Sequence, residues 1–259
     1  MIYNTPELSE EMIKSLSTQN YRDWPLMKRY PGYDECFVAF HPFLKIKNGH
    51  EEYIKFESYS RPNKFEIQKH CEPLSWLEII NLTGIIDIKS LDRALAFLHR
   101  AYSFGERTEY YKLIKLLVKD RLDILPAEVD DLPLIIKNKI LHKLRSLDYD
   151  SVLIYSDFNE HKELINIDKL IENPIGLPTH VRIETPDEKI LIVQDFDQRF
   201  AYFFSNKSTL YDIIESTNLE GFFCNEHTPE SWSYYPILEP EKIDWSEDMK
   251  NSYENNFYP

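Results

Sequence analysis

The apolar residues of this 259-residue chain change their period at one place, and that change limits the architectures open to it. Before about residue 150 the strong patterns recur at helical spacing; Leu91, Ala94, Leu95, Leu98 and Tyr102, for example, fall on one face of a helix. From Ser151 onward the pattern switches to short β-branched and aromatic runs, SVLIYS, HVRIET, KILIVQ and RFAYFFS, separated by turn chemistry at Thr185-Pro186-Asp187 and Asp195-Phe196-Asp197. Helices first and strands afterwards indicate an α+β fold rather than an alternating one. The reading is a helical block over about 73–147, packed on one face of a mostly antiparallel sheet with one helix over about 151–224. LDYDS at 147–151 is too short and apolar for a flexible joint, so residues 1–259 are expected to form a single compact domain.

Individual elements follow from local signals. Residues 73–82 read as a helix that Gly84 ends, Ser90 as the cap of a helix over 91–102, and TEYYKLIKLLVKDRL as a third. LPLIIKNKILHKLRSL follows, entered through Asp130 or Asp131 with Pro133 in its first turn. Residues 5–16 suggest a short amphipathic helix, CFVAFHPF a strand, and residues 45–70 a polar loop. STLYDIIEST reads as a helix capped from within residues 205–208, and residues 219–224 as a last strand across Gly221. From Thr228 onward, prolines, acids and aromatics predict a segment draped over the body.

Charge is distributed unevenly. Residues 151–259 hold 21 Asp and Glu against 8 Lys and Arg, which is nearly all of the net charge of −14. Such a surface attracts cations and basic partners and repels phosphates, so no nucleic acid is expected. With 42% apolar residues the chain is far from the composition of disordered proteins. Three scattered cysteines, Cys36, Cys71 and Cys224, form neither a disulfide framework nor a paired zinc motif, which suits a reducing, cytoplasmic setting. The amino terminus has no secretory pattern and no window approaches the roughly 20 apolar residues a membrane span needs, so no membrane partner is expected either.

Two local patterns could carry chemistry. In ILIVQDFDQ an apolar strand delivers Asp195 and Asp197, and two carboxylates one residue apart can hold Mg²⁺ or supply a nucleophile and an acid for phosphoryl transfer. Haloacid-dehalogenase-like phosphatases begin with such a strand, but Gln198 stands where their motif continues with Gly or Thr. An Asp-rich hairpin turn is the alternative. Cys224-Asn225-Glu226-His227 places a thiol, a carboxylate and an imidazole together, yet on an extended chain His227 faces away from Cys224 and Glu226. The alternative there is a buried cysteine followed by a polar turn. His41 and His180 flank strands, and either could join a site with Glu226 and His227 if the fold brought them together. Tyr110-Tyr111, Tyr234-Tyr235, Trp76, Trp232 and Trp245 could line a pocket, an interface or the core. No Gly-rich phosphate loop, nucleophile elbow or His-Glu-x-x-His helix is present, and no cofactor is expected.

The succession FHPF, PLSWLEIINLTGI, a helix pair ending near LPAEVDDL, and LEGFFCNEHT with Trp232 after it resembles an uncharacterised bacterial family, number 2711 of the domain-of-unknown-function series. The resemblance covers about residues 37–235 and implies a bacterial cytosolic protein, with no activity or catalytic residues to carry over. Three functional readings stay open: a non-catalytic, immunity-like protein recognising a basic partner; a metal-assisted hydrolase or phosphotransferase using Asp195 and Asp197, with Glu226 or His227; and a small-ligand-binding module with an aromatic-lined pocket between the helical and strand regions.

Overall fold

A computed structural model describes residues 1–7, 24–53, 64–98, 107–129, 131–156, 159–172, 177–178, 180–195, 198–231 and 234. The α+β class holds: helices pack on a large, mostly antiparallel sheet. Among the described residues the strands are β1 (Ile2–Tyr3), β2 (Glu35–Phe40), β3 (Phe43–Ile46), β4 (Cys71–Leu74), β5 (Ile124–Leu125), β6 (Ser151–Ser156), β7 (Asn159–Asn166), β8 (Val181–Glu184), β9 (Leu191–Gln194), β10 (Phe200–Ser205) and β11 (Gly221–Phe223). The α-helices are α1 (Leu26–Arg29), α2 (Lys64–His70), α3 (Trp76–Thr83), α4 (Ile88–Leu98), α5 (Arg107–Lys115), α6 (Leu134–Ser146), α7 (Ile167–Glu172) and α8 (Lys207–Thr217). No helix among them is long and apolar enough to cross a membrane.

Eight strands form one sheet in the order β1-β11-β2-β10-β9-β8-β6-β7, and only β1 pairs in parallel. The expected meander is its centre, β6, β8, β9 and β10 lying side by side, with β7 added as an outer hairpin strand. The sheet is not confined to the second half of the chain, because β2 inserts between β11 and β10. Its alternation is hidden in the all-apolar string CFVAF, a pattern that a strand buried on both faces requires. Gly221 lets β11 close on it: a Cβ there would lie 1.9 Å from the Val38 carbonyl oxygen.

Helices cover both faces rather than one. On one face Val38, Phe40, Val193, Phe200, Tyr202, Phe204 and Phe222 meet Trp76, Ile79, Leu91, Leu95 and Leu113 from α3, α4 and α5. On the other, Phe37, Ala39, Ile183, Ile192, Ala201 and Phe203 meet Ile136, Ile140, Leu144, Leu170, Ile213 and Ile214 from α6, α7 and α8. Residues 45–70 are not a plain loop. After Pro42 the chain forms β3, which pairs with β4 and β5 in a second, three-stranded sheet, with α2 beside it.

Caps explain the helix boundaries that differ from expectation. Ser75 and Glu78 make a reciprocal capping box on α3, the Glu220 carboxylate accepts from the Trp76 and Leu77 amides (2.6 and 3.2 Å), and Gly84 closes the helix at φ 66°. α4 starts two residues before Ser90, because Asp87 Oδ1 accepts from the Ser90 amide at 2.9 Å and takes the capping role. Pro133 precedes α6 rather than sitting inside it, Asn206 caps α8, and α5 runs into a π-helical turn over Leu116–Asp120. Of the expected helix over 5–16, residues 5–7 are described and not helical, while its remainder and the segment after Tyr234 fall outside the described residues.

Candidate functional site

Where the helices on the first face stop, the sheet face changes character. In β8, Val181 and Ile183 point into the aliphatic core, so Arg182 and Glu184 share the opposite face. Register places Tyr155 and Val193 beside Arg182, and Leu153 and Leu191 beside Glu184. Arg182 and Glu184 are nonetheless buried, at 2% and 7% exposure. Their cover comes from far away in sequence. α1 delivers the buried Arg29, and the Pro31-Gly32 turn, with Gly32 at φ 104°, folds Tyr30 and Tyr33 back over Phe204 at ring separations of 4.8 and 5.8 Å.

Four ionisable side chains meet here in a chain. Asp195, one residue past β9, faces Arg182 with Oδ1 (3.0 Å) and Arg29 with Oδ2 (3.5 Å). Arg29 also pairs with Glu230, and Gln198 donates to the same carboxylate. Arg182 donates in addition to the Gln194 carbonyl at 3.0 Å. Burial alone would raise the Asp195 carboxyl, but Arg182 and then Arg29 outweigh it and hold the group below its ordinary range. Glu230 goes the other way: burial first, then the Asp195 charge, push it up to about 7. Burial also pushes up the Tyr30 and Tyr33 phenols, opposed at Tyr30 by the two arginines and reinforced at Tyr33 by Glu184.

Beside this cluster lies a pocket of about 270 Å³ lined by Arg29, Tyr30, Tyr33, Tyr155, Glu184 and Glu188, with Pro31, Gly32 and Leu191 completing it. Glu184 receives the Lys162 ammonium (2.5 Å) and the Tyr33 hydroxyl (3.3 Å), and the same ammonium sits 4.7 Å from the Tyr155 ring centre. Glu188, at φ 58° in the turn closed by its amide on the Thr185 carbonyl, has no ion-pair partner among the described residues. Arg29, Arg182 and Lys162 therefore face the carboxyl groups of Asp195, Glu230, Glu184 and Glu188, and the balance turns negative as Glu230 loses its proton near pH 7.

The residues singled out from the sequence are dispersed. Asp195 is in the cluster, where guanidinium groups supply the counter-charge a divalent ion would bring; Asp197 lies outside the described residues. Glu226 and His227 pair with each other at 3.4 Å on an exposed turn held by Asn225 and Thr228. No group of three or more His, Cys, Asp or Glu among the described residues is arranged to hold a metal. His41 is buried between the Glu128 carbonyl and the Gln194 side chain, both at 2.8 Å, while Trp76 donates to its carbonyl. His180 is buried just before β8 with φ 60°. Trp76 and Tyr234 are core, the Tyr110 and Tyr111 rings meet tilted at 5.6 Å with Tyr111 half exposed, and Trp232, Tyr235 and Trp245 are outside the described residues. Arg29, Tyr30, Tyr33, Tyr155, Arg182, Glu184, Glu188 and Glu230 escaped the sequence reading. The polar half of HVRIET was the available signal, but alternation of that kind ordinarily marks a solvated face.

The family model described as "Protein of unknown function (DUF2711)" matches residues 22–234, and the chain belongs to that family. No curated protein and no solved structure matches it.

Proposed function

We propose that this family member is a non-catalytic binding module that takes a small organic cation, an amine or a guanidinium, in the tyrosine-lined pocket. The observation that carries the reading is the pocket's composition: three tyrosines and two glutamates around about 270 Å³, next to arginines already paired with Asp195 and Glu230. Aromatic faces attract cations through their quadrupole, and carboxylates at the rim fix the charged end. The volume suits a small ligand. Glu184 can exchange its Lys162 partner for the bound cation without leaving a buried charge unpaired, because that lysine is partly exposed.

Thermal-shift and calorimetric titrations of the full chain with choline, spermidine and arginine, against glutamate and sulfate as anionic controls, test the reading. At least one cation is expected to bind and raise the melting temperature, and Tyr155→Ala is expected to weaken that binding at least tenfold. Equal or better binding of the anions, no binding of any cation, or binding insensitive to Tyr155→Ala would refute it.

The net charge of −13 on residues 151–259 supports a second reading, recognition of a basic protein through the acidic surface. The two readings separate by salt and by mutation. A surface complex weakens steeply as ionic strength rises and ignores Tyr155→Ala, whereas the pocket ligand responds to that substitution.

A further inference from the structure

We propose that Cys36 and Cys224 form a redox-active thiol pair that a hydroperoxide converts to a cross-strand disulfide. β2 and β11 pair with Gly221 opposite Ala39, Phe222 opposite Val38 and Phe223 opposite Phe37, and one further step puts Cys224 directly opposite Cys36. The Cys224 amide donates to the Cys36 carbonyl at 2.8 Å, so the register persists past the end of the strand. Opposed residues send their side chains to the same face, and both cysteines pack in the aromatic core of the first face. Hydrogen-bonded antiparallel partners have Cα atoms about 5.5 Å apart, inside the range a disulfide spans. Their Cβ atoms need to close by about 1 Å, which the chain end can supply because β11 stops at Phe223.

The two thiols differ in access. Cys36 is buried at 1% exposure, whereas Cys224 is partly exposed at the mouth of the Asn225–Thr228 turn. Burial, with a smaller contribution from Cys224, pushes the Cys36 thiol well above its ordinary value, so Cys36 is the slower of the two toward an external oxidant. Cys224 thiolate attacks the terminal oxygen of the hydroperoxide, the O–O bond breaks, and the alcohol or water departs, leaving a sulfenic acid. The Cys36 sulfur then attacks that sulfur, its proton goes to the leaving hydroxide as water, and the S–S bond forms. Two thiols are oxidised by two electrons and one peroxide is reduced. Cys71 lies in the second sheet, in a separate core with Leu44, Ile46, Ile67 and Leu125, and takes no part.

The test treats the folded full-length protein with hydrogen peroxide, alkylates it under denaturing conditions, and maps peptides by mass. Two of the three thiols should disappear, dithiothreitol should restore them, and the linked peptides should contain Cys36 and Cys224. Cys224→Ser should leave Cys36 fully alkylatable after peroxide. Cys36→Ala, with no resolving thiol, should carry Cys224 on to sulfinic acid that dithiothreitol does not reverse. Should Cys36→Ala fail to fold, the wild-type map and Cys224→Ser decide alone. Three intact thiols, oxygen added to Cys224 while Cys36 stays reduced, or a link to Cys71 would overturn the proposal.

Discussion

The two faces of the eight-stranded sheet are made by the same strands, yet they solve burial differently. The face under α6, α7 and α8 is apolar from β2 across to β6, with Ile154, Ile183, Ile192, Phe203 and Phe37 in register across it. The face under α3, α4 and α5 is aromatic over β11, β2 and β10, where Phe40 stacks on Trp76 at 4.4 Å, and then turns ionic at β8. A continuous apolar layer needs only helices of the right size. A buried ionic patch needs specific partners, and these come from α1 and from Glu230, over 150 residues apart in sequence from each other. The lesson is that the pocket sits where packing gives way to charge pairing, on the face whose helices stop short.

Substitutions on the two faces should separate them. Asp195→Ala removes the link between Arg182 and Arg29 and leaves buried guanidinium groups short of a counter-charge, so denaturant unfolding should show a loss of about 4 kcal/mol. If it lost under 1 kcal/mol, the ionic patch would be no more demanding than a surface pair. Ile192→Ala, on the wholly apolar face at 0% exposure, should cost about 3 kcal/mol through lost burial and a cavity, while leaving cation binding unchanged. A changed affinity there would mean that the faces are not independent.

A smaller effect distinguishes the two acids of the patch. Glu230 titrates near 7 in the folded protein against an ordinary value of 4.5, so the folded state holds a proton that the unfolded chain has released across that interval. Its contribution to stability therefore falls as pH rises from about 4.5 to about 7. Asp195 is depressed below 3.8, and its contribution is present above that pH and lost as pH falls through the folded value. Melting temperatures of Glu230→Gln across pH 4.5 to 7.5 should follow a flatter descent than wild type, and an unchanged slope would assign the pH dependence elsewhere. The smallest change is expected for Lys162→Met at the pocket edge, under about 1 kcal/mol, because the ammonium is 43% exposed and screened by water. A larger loss would place that lysine inside the ionic patch rather than at its rim.

Much of the fold was legible in local pattern. The meander strands, the Gly84 stop of α3 and the long run of α6 all follow from period, turn residues and caps. β2 was legible as a strand, but its seat in the middle of the sheet was not, since an all-apolar run does not say which strands flank it. Three short strands, β3, β4 and β5, were invisible, because Lys45, Glu72 and Pro73 break the apolar runs of the first two and the third has only two residues. At the site, Asp195 stood out for being acidic at a strand end. Arg29 and Arg182 did not, because a single arginine carries no motif, and Glu230 is unremarkable until a neighbour two hundred residues away is known.

By itself the sequence determined the α+β class, the element types over most of the helices and central strands, and the acidic surplus, since these depend on spacing and composition along the chain. Tertiary structure alone decided which polar residues are buried together, that helices cover both faces, and that Cys36 faces Cys224. The physical reason is that periodicity reports which side of an element is apolar, whereas ion pairing and thiol proximity act over a few ångströms between segments whose separation along the chain carries no information about their distance in space.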